Sequence, residues 1–131
     1  QHGGGSDDAP NALANLMRYA RQEVELRALS QHALLAPTSE ELSDYPIVFA
    51  HGRRGFRWNA AEREALAKFI ENGGFLFADA ICANPQFAAA FRREMEAIFP
   101  GQKLERVPAN HPLFSDEYSG FNLERVTLND P

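Results

Sequence analysis

The sequence predicts a single α/β domain, residues 1–131, in which a mostly parallel sheet is flanked by helices. Residues 45–50 and 75–78 are continuous apolar runs, which is typical of strands covered on both faces. Stretches with the three-and-four apolar spacing of amphipathic helices separate the strands. Strands that alternate with helices predict βαβ crossovers and therefore parallel pairing. A chain of 131 residues is long enough to bury a sizeable core in one domain.

The N-terminal part predicts a helix followed by a short strand. The helix is expected over residues 9–23, with Asp8 as its N-cap and Pro10 near its first position, where a missing N–H costs nothing. Its apolar stripe consists of Leu13, Leu16, Met17, Ala20 and Val24. Residues 24–29 alternate apolar and charged side chains, which predicts a half-exposed strand.

The middle of the chain predicts a strand, a loop and a second helix. Pro46 belongs at the first residue of the strand, where it removes no ladder hydrogen bond. Residues 51–55 are expected to leave this strand as a flexible loop. Asn59 and Glu62 have the spacing of a capping box at a helix N-terminus, and residues 72–74, Asn-Gly-Gly, predict a left-handed stop.

The rest of the chain predicts one more helix, two strands and a turn. Asn84 and Pro85 start a helix after the strand 75–78, and residues 99–101 end it. Its buried face is expected to hold Phe87, Phe91, Met95 and Ile98. Strands are expected at 104–107 and 123–128, with a turn or single helical turn at 111–114.

Composition excludes several function classes. The formal net charge is −5, and a nucleic acid or an anionic membrane surface would require a basic patch. The closest approach to one is Arg53, Arg54 and Arg57, which do not overturn that balance. No apolar run approaches the ~20 residues of a membrane span, so we expect no membrane insertion of this segment. A single cysteine excludes an internal disulfide.

Five segments in the same order carry a resemblance to a known family. After the glycines of 3–5 come 11–16, 44–53, 72–80, 91–100 and 111–114, the last reading His-Pro-Leu-Phe. Together they resemble domain-of-unknown-function family 4159, within the class I glutamine-amidotransferase-like and ThuA-like superfold. The resemblance covers about residues 3–121.

The resemblance implies a three-layer, flavodoxin-like fold and no settled activity. Members of the family are often exported or membrane-tethered bacterial proteins, which leans the expected location towards the periplasm or cell envelope. Members also carry a strand before the segment equivalent to Gly3, and this sequence begins with Gln1. We therefore expect the chain to be a piece of a longer protein whose first strand is missing. A protein partner or self-association is an alternative way to complete the sheet, since open edges invite pairing.

Candidate site residues lie in three predicted loops at the carboxyl ends of strands, where ligands bind in open α/β sheets. The loops are 51–55, 79–84 and 110–114. They carry His51 and Arg53, Asp79 and Cys82, and His111. Arg53 and Asp79 are candidates for binding a ligand, which the sequence does not identify.

Cys82 has two interpretations. In amidotransferase-like folds a nucleophile occupies a tight strand-to-helix elbow, and Cys82 with His51 or His111 as base would fit that place. However, the Gly-x-Cys-x-Gly pattern is absent around Cys82, and His111 precedes Pro-Leu-Phe where His-x-Glu is expected. The competing interpretation is a buried or ligand-facing structural thiol.

The sequence predicts neither a metal site nor a cofactor. No short ligand pair such as His-x-x-x-His or Cys-x-x-Cys is present. The glycines of 3–5 could form a phosphate cradle, but Asp7 and Asp8 follow them and would repel a phosphate. The favoured prediction is a non-catalytic ligand- or partner-binding module, and the alternative is a cysteine-dependent hydrolase or amidotransferase-like enzyme.

Overall fold

A computed structural model describes residues 1–23 and 33–115. These residues form a mixed α/β unit with three α-helices and a parallel two-stranded sheet. In chain order the elements are α1 (Ala12–Glu23), β1 (Ile47–Gly52), α2 (Ala60–Glu71), β2 (Phe75–Ala80) and α3 (Pro85–Ile98). Short 3₁₀ segments lie at Glu40–Asp44, Ile81–Ala83 and Pro112–Phe114.

The predicted crossover from strand through helix to parallel strand is confirmed. β1 pairs with β2 in a register that runs from Ile47 opposite Phe75 to Gly52 opposite Ala80. Both strands extend two residues beyond their predicted ends. His51 therefore lies inside the ladder, opposite Asp79, and the prediction that these two residues belong to the loops after their strands is wrong.

The predicted boundaries of α2 and the start of α3 are confirmed. The Asn59 side chain accepts a hydrogen bond from the Glu62 N–H at 3.0 Å, and the Glu62 carboxylate accepts one from the Asn59 N–H at 2.7 Å. Gly73 follows α2 with a φ of 91°, in the left-handed region that glycine adopts without strain. At α3, the Asn84 side chain accepts a hydrogen bond from the Gln86 N–H at 2.9 Å.

Two predictions near other element boundaries are wrong. α1 begins at Ala12, because Asp8 lies in a turn closed by its own N–H to the Gly5 carbonyl at 3.0 Å, and not at the helix start. Residues 104–107 form no strand and are exposed. Leu104 and Val107 are three residues apart, so they cannot lie on one face of a strand, whose side chains alternate with a period of two. The strands predicted at 24–29 and 123–128 lie outside the described residues.

The hydrophobic core lies on one face of the sheet, against α2 and α3. Val48, Leu76 and Ala78 from the strands pack against it. Its buried members are Leu42, Phe56, Trp58, Leu66, Phe69, Phe87 and Ala90.

The opposite face of the sheet is apolar and exposed. Ile47 and Phe75 are directly opposite in register, and they are 57% and 60% exposed. Phe49 and Phe77, the next pair on this face, stack with ring centroids 5.4 Å apart, and Phe77 is exposed. Helix α1 contains Leu13, Leu16, Met17 and Ala20 of the predicted stripe, yet none of its residues is buried; Val24 lies outside the described residues. Within 1–23 and 33–115, no helix has the length and apolar character needed to cross a membrane.

Candidate functional site

The carboxyl edge of the sheet brings two predicted site residues together. His51 and Asp79 are partners in the parallel register, so they lie on the same face and at the same level of the sheet. His51 is only 7% exposed, whereas Asp79 is exposed. Only Asp79 is therefore open to solvent.

His51 holds the glycine-rich segment against the end of β1. Its Nε2 lies 2.8 Å from the Ser6 carbonyl oxygen; because a carbonyl can only accept, Nε2 carries the proton. The Gly4 carbonyl accepts hydrogen bonds from the N–H groups of Arg53 and Arg54, both at 3.0 Å. A Cβ added at Gly52 would lie 2.2 Å from the Gly4 oxygen, so the two segments touch through backbone. The lack of a side chain at Gly52 thus lets the glycine-rich segment cross β1 in direct backbone contact.

His2 is a residue that the sequence interpretation missed. Its ring stacks on Phe56 with centroids 4.6 Å apart, and its Nδ1 accepts a hydrogen bond from the Gly4 N–H at 3.0 Å. Burial lowers the pKa of His2 to about 4, and electrostatic repulsion from the N-terminal amine and, to a smaller extent, from His51 acts in the same direction. His2 is therefore uncharged near neutral pH. A histidine directly before a glycine run carries no recognisable sequence signal for this packing.

Cys82 is exposed at the strand-to-helix junction. Its φ is 55°, and that of Ala83 is 53°, so two successive residues with side chains adopt left-handed backbone, which costs energy in each. The guanidinium of Arg53 donates a hydrogen bond to the Cys82 sulfur at 3.9 Å. The structure therefore joins two predicted site residues, Cys82 and Arg53, while the glycines of a nucleophile elbow are absent.

The structure does not bring a histidine into a hydrogen bond with Cys82 among the described residues. His51 bonds to Ser6. The Nδ1 of His111 accepts from the Leu113 N–H at 3.1 Å and caps the 3₁₀ segment Pro112–Phe114. In the described part of the chain, no group of three or more His, Cys, Asp or Glu side chains is placed to hold a metal ion.

The buried carboxylate of Glu94 holds the loop between β1 and α2 in place. Glu94 on α3 is fully buried; its Oε2 accepts hydrogen bonds from the Trp58 N–H at 3.1 Å and the Arg63 Nε at 2.9 Å. Arg93 lies 3.5 Å from Oε1. Burial raises the pKa of Glu94, but the hydrogen bonds from Arg63 and Trp58 and the charges of Arg63 and Arg93 lower it more, leaving a net decrease.

The sequence contained a signal for this carboxylate. Ala90 follows Phe87 by three residues and Glu94 follows Ala90 by four, so Glu94 lies on the helix face that Phe87 buries. The fully buried stripe of α3 is Phe87, Ala90 and Glu94, rotated slightly from the predicted stripe.

The family of the chain follows from comparison with family models. The sequence model described as "Domain of unknown function (DUF4159)" matches residues 1–128. The chain belongs to the DUF4159 family. No curated protein matches it. In this DUF4159 domain, the matched region contains the glycine-rich segment, both described strands and all five predicted site residues.

Proposed function

We propose that this DUF4159 domain is a non-catalytic binding module on a flavodoxin-like, amidotransferase-like scaffold, whose sheet is completed by another protein chain. The observation that carries the proposal is the apolar sheet face on which the described residues leave Ile47, Phe75 and Phe77 exposed and Phe49 partly buried. Large exposed apolar patches on soluble domains mark interaction surfaces.

The outer edge of β2 is the place where the added strand pairs. A sheet of two strands is marginal in water, and three or more are needed for independent stability. Within the described residues β2 pairs with β1 alone, so its other edge has unpaired N–H and C=O groups. β1 is the less suitable strand because Val48, Phe49 and Ala50 already line a cavity with the segment around Leu35.

The chain that adds its strand to the outer edge of β2 is a second copy of this protein. Two copies related by a two-fold axis would pair β2 with β2 in antiparallel fashion and make one sheet of four strands. Phe75 and Phe77 of each copy would then meet the same residues of the other, and aromatic cross-strand pairs stabilise sheets. The pairing would place the exposed Phe75 and Phe77 side chains of the two copies beside each other and reduce their exposure.

Light scattering with size-exclusion chromatography tests the proposal. The full chain should form dimers at micromolar concentration, and Phe77→Lys should yield monomers, because a lysine on an edge strand opposes pairing. Leu104→Lys is the matched control, since Leu104 is 55% exposed outside the sheet, and it should leave the dimer intact. A stable monomer of the unsubstituted chain, or equal loss of dimer in both variants, would refute the proposal.

The carboxyl edge of the sheet is the proposed ligand surface of the module. The exposed Arg53 and Asp79 offer one positive and one negative group there, suited to a small zwitterionic or polar ligand. What supports a non-catalytic role is the engagement of His51 with Ser6 and of His111 with its own turn. Neither imidazole is placed as a base for Cys82.

A cysteine-dependent hydrolase or amidotransferase-like enzyme is the second candidate. The exposed thiol of Cys82 in left-handed backbone, with Arg53 in contact, favours it. Because Cys82 is the single cysteine, its alkylation by iodoacetamide at neutral pH reports on one thiol. A non-catalytic thiol should react at the rate of a model peptide thiol. Labelling at least tenfold faster, and slowed by His51→Phe but not by His111→Phe, would support the enzyme instead.

A further inference from the structure

A small cavity lies behind the carboxyl half of β1. Its volume is about 50 Å³. The glycine-rich segment closes one side through His2 and Ser6, and the stretch around Leu35 closes another. Val48 and His51 of β1 and the core side chain of Trp58 complete the wall. The cavity thus adjoins the exposed sheet face at Phe49, and Cys82 is not among its lining residues.

Three residues that line this cavity each have a buried nitrogen without a hydrogen-bond partner in the described part of the chain. These nitrogens are Nε2 of His2, Nδ1 of His51 and Nε1 of Trp58. His51 and Trp58 are only 7% and 3% exposed. Buried polar atoms are nearly always satisfied by protein, water or ligand, so three such atoms around one cavity indicate a polar occupant.

The hydrogen bonds that the two imidazole rings already make, and the chemistry of the indole ring, decide which of the three nitrogens carry a proton. His51 donates from Nε2 to the Ser6 carbonyl, so Nδ1 is an acceptor when the ring carries that one proton. His2 accepts at Nδ1 from the Gly4 N–H, so its neutral ring carries the proton on Nε2 and is a donor there. The indole N–H of Trp58 can only donate. The three unpartnered nitrogens therefore offer two donors and one acceptor.

We propose that this cavity is a binding site for a short aliphatic alcohol, whose hydroxyl group bonds to His2, His51 and Trp58. A hydroxyl can accept two hydrogen bonds and donate one, which matches two donors and one acceptor. Val48, Leu66 and Leu76 also line the cavity and provide apolar surface for the carbon atoms.

The volume limits the ligand to a few non-hydrogen atoms. A water molecule needs roughly 10–15 Å³ of such space, so about 50 Å³ holds roughly three to five water-sized groups. 2-Propanol falls in this range. A ligand of about four non-hydrogen atoms reaches a dissociation constant of roughly 40 µM at best, so titrations must extend into the millimolar range.

The test follows the indole N–H resonance of Trp58 during titration of the full chain by NMR. Trp58 is the single tryptophan, so the resonance is unambiguous. 2-Propanol should shift it saturably, and acetone should bind about tenfold more weakly, because acetone accepts hydrogen bonds but cannot donate one to His51. This comparison needs no variant. A linear, non-saturating shift with 2-propanol would show that the cavity holds water only, and equal affinities for the two probes would also overturn the proposal.

A variant then tests the assigned acceptor. His51→Phe should weaken 2-propanol binding and abolish its preference over acetone. His111→Phe makes the same change at an exposed histidine that does not line the cavity, and it should keep the full tenfold preference. A His51→Phe protein that folds and still prefers 2-propanol tenfold would refute the assignment.

Discussion

Replacing Glu94 by glutamine tests whether this buried side chain stabilises the fold through its negative charge or only through its packing. Glutamine has nearly the same volume and keeps one oxygen that can accept the hydrogen bonds from Trp58 and Arg63, which both go to Oε2. Its amide nitrogen would then take the place of Oε1, 3.5 Å from the Nε of Arg93, where a donor would face a donor. Glu94→Gln thus removes the charge and the favourable approach of Arg93 with little change in packing.

The expected cost is about 2 kcal/mol in the free energy of unfolding. Hydrogen bonds to charged groups contribute about 1.5–3 kcal/mol and neutral ones about 0.5–1.5 kcal/mol, a difference of roughly 1 kcal/mol for each of the two bonds. Arg63 is 30% exposed on its side chain and can be rehydrated in part. The cost should therefore stay below the 3–5 kcal/mol that follows the loss of one partner in a fully buried pair.

Urea unfolding of the two proteins at neutral pH measures this difference, with Glu96→Gln as the control. Glu96 lies on the same helix but is exposed, so its substitution should change stability by less than about 0.5 kcal/mol. The folded-state pKa of Glu94 is below its ordinary value of 4.5. The stabilisation by its charge is therefore complete above that value and is lost as pH falls below it. Equal effects of Glu94→Gln and Glu96→Gln, or a difference that grows in acid, would refute the reasoning.

Three further predictions concern the glycine-rich crossing and the left-handed junction. His2→Phe should reduce the loss of stability between pH 6.5 and about 4, because the lowered pKa means that the unfolded chain binds more protons in that window. The full pKa shift corresponds to about 3 kcal/mol in the free energy of unfolding, and about 1 kcal/mol is expected for this partly exposed ring. Urea unfolding of both proteins across that pH range measures the difference, and an unchanged pH dependence would contradict the prediction. Gly52→Ala should lower the free energy of unfolding by about 3 kcal/mol or more, since its Cβ would lie 2.2 Å from the Gly4 oxygen. In the control Gly55→Ala the new Cβ meets nothing nearer than 3.9 Å. Similar melting temperatures for the two variants would disprove the close contact between Gly4 and Gly52. Ala83→Gly should stabilise the fold by about 0.5–1 kcal/mol, because the cost of left-handed backbone in alanine exceeds the entropic cost of glycine; a lower melting temperature would be the contrary result.

Local signals explain which elements could be predicted from the sequence. The capping box of Asn59 and Glu62 and the left-handed stop at Gly73 depend on residues within one turn of the helix end. Such signals work without knowledge of the rest of the chain. The strand ends were less predictable, because His51 and Asp79 belong to the ladder only through their pairing with each other.

The candidate site was predictable in outline but not in its bonding. The rule that ligands gather at the carboxyl ends of parallel strands placed His51 and Asp79 at one edge, and the register has them as partners. No spacing in the sequence indicates that His51 is bonded to Ser6 or that Arg53 meets Cys82. These contacts join residues far apart in the chain.

The sequence by itself determined the α/β alternation, the N-caps of α2 and α3 and the family, because these depend on local periodicity, short capping motifs and the order of segments. Only the tertiary structure decided that the imidazole of His51 is enclosed and that Cys82 is exposed. It also decided that Glu94, a charged residue, belongs to the core. The physical reason is that burial and hydrogen bonding depend on which segments pack together: the Gly4 crossing encloses His51, and Trp58 and Arg63 compensate the buried charge of Glu94.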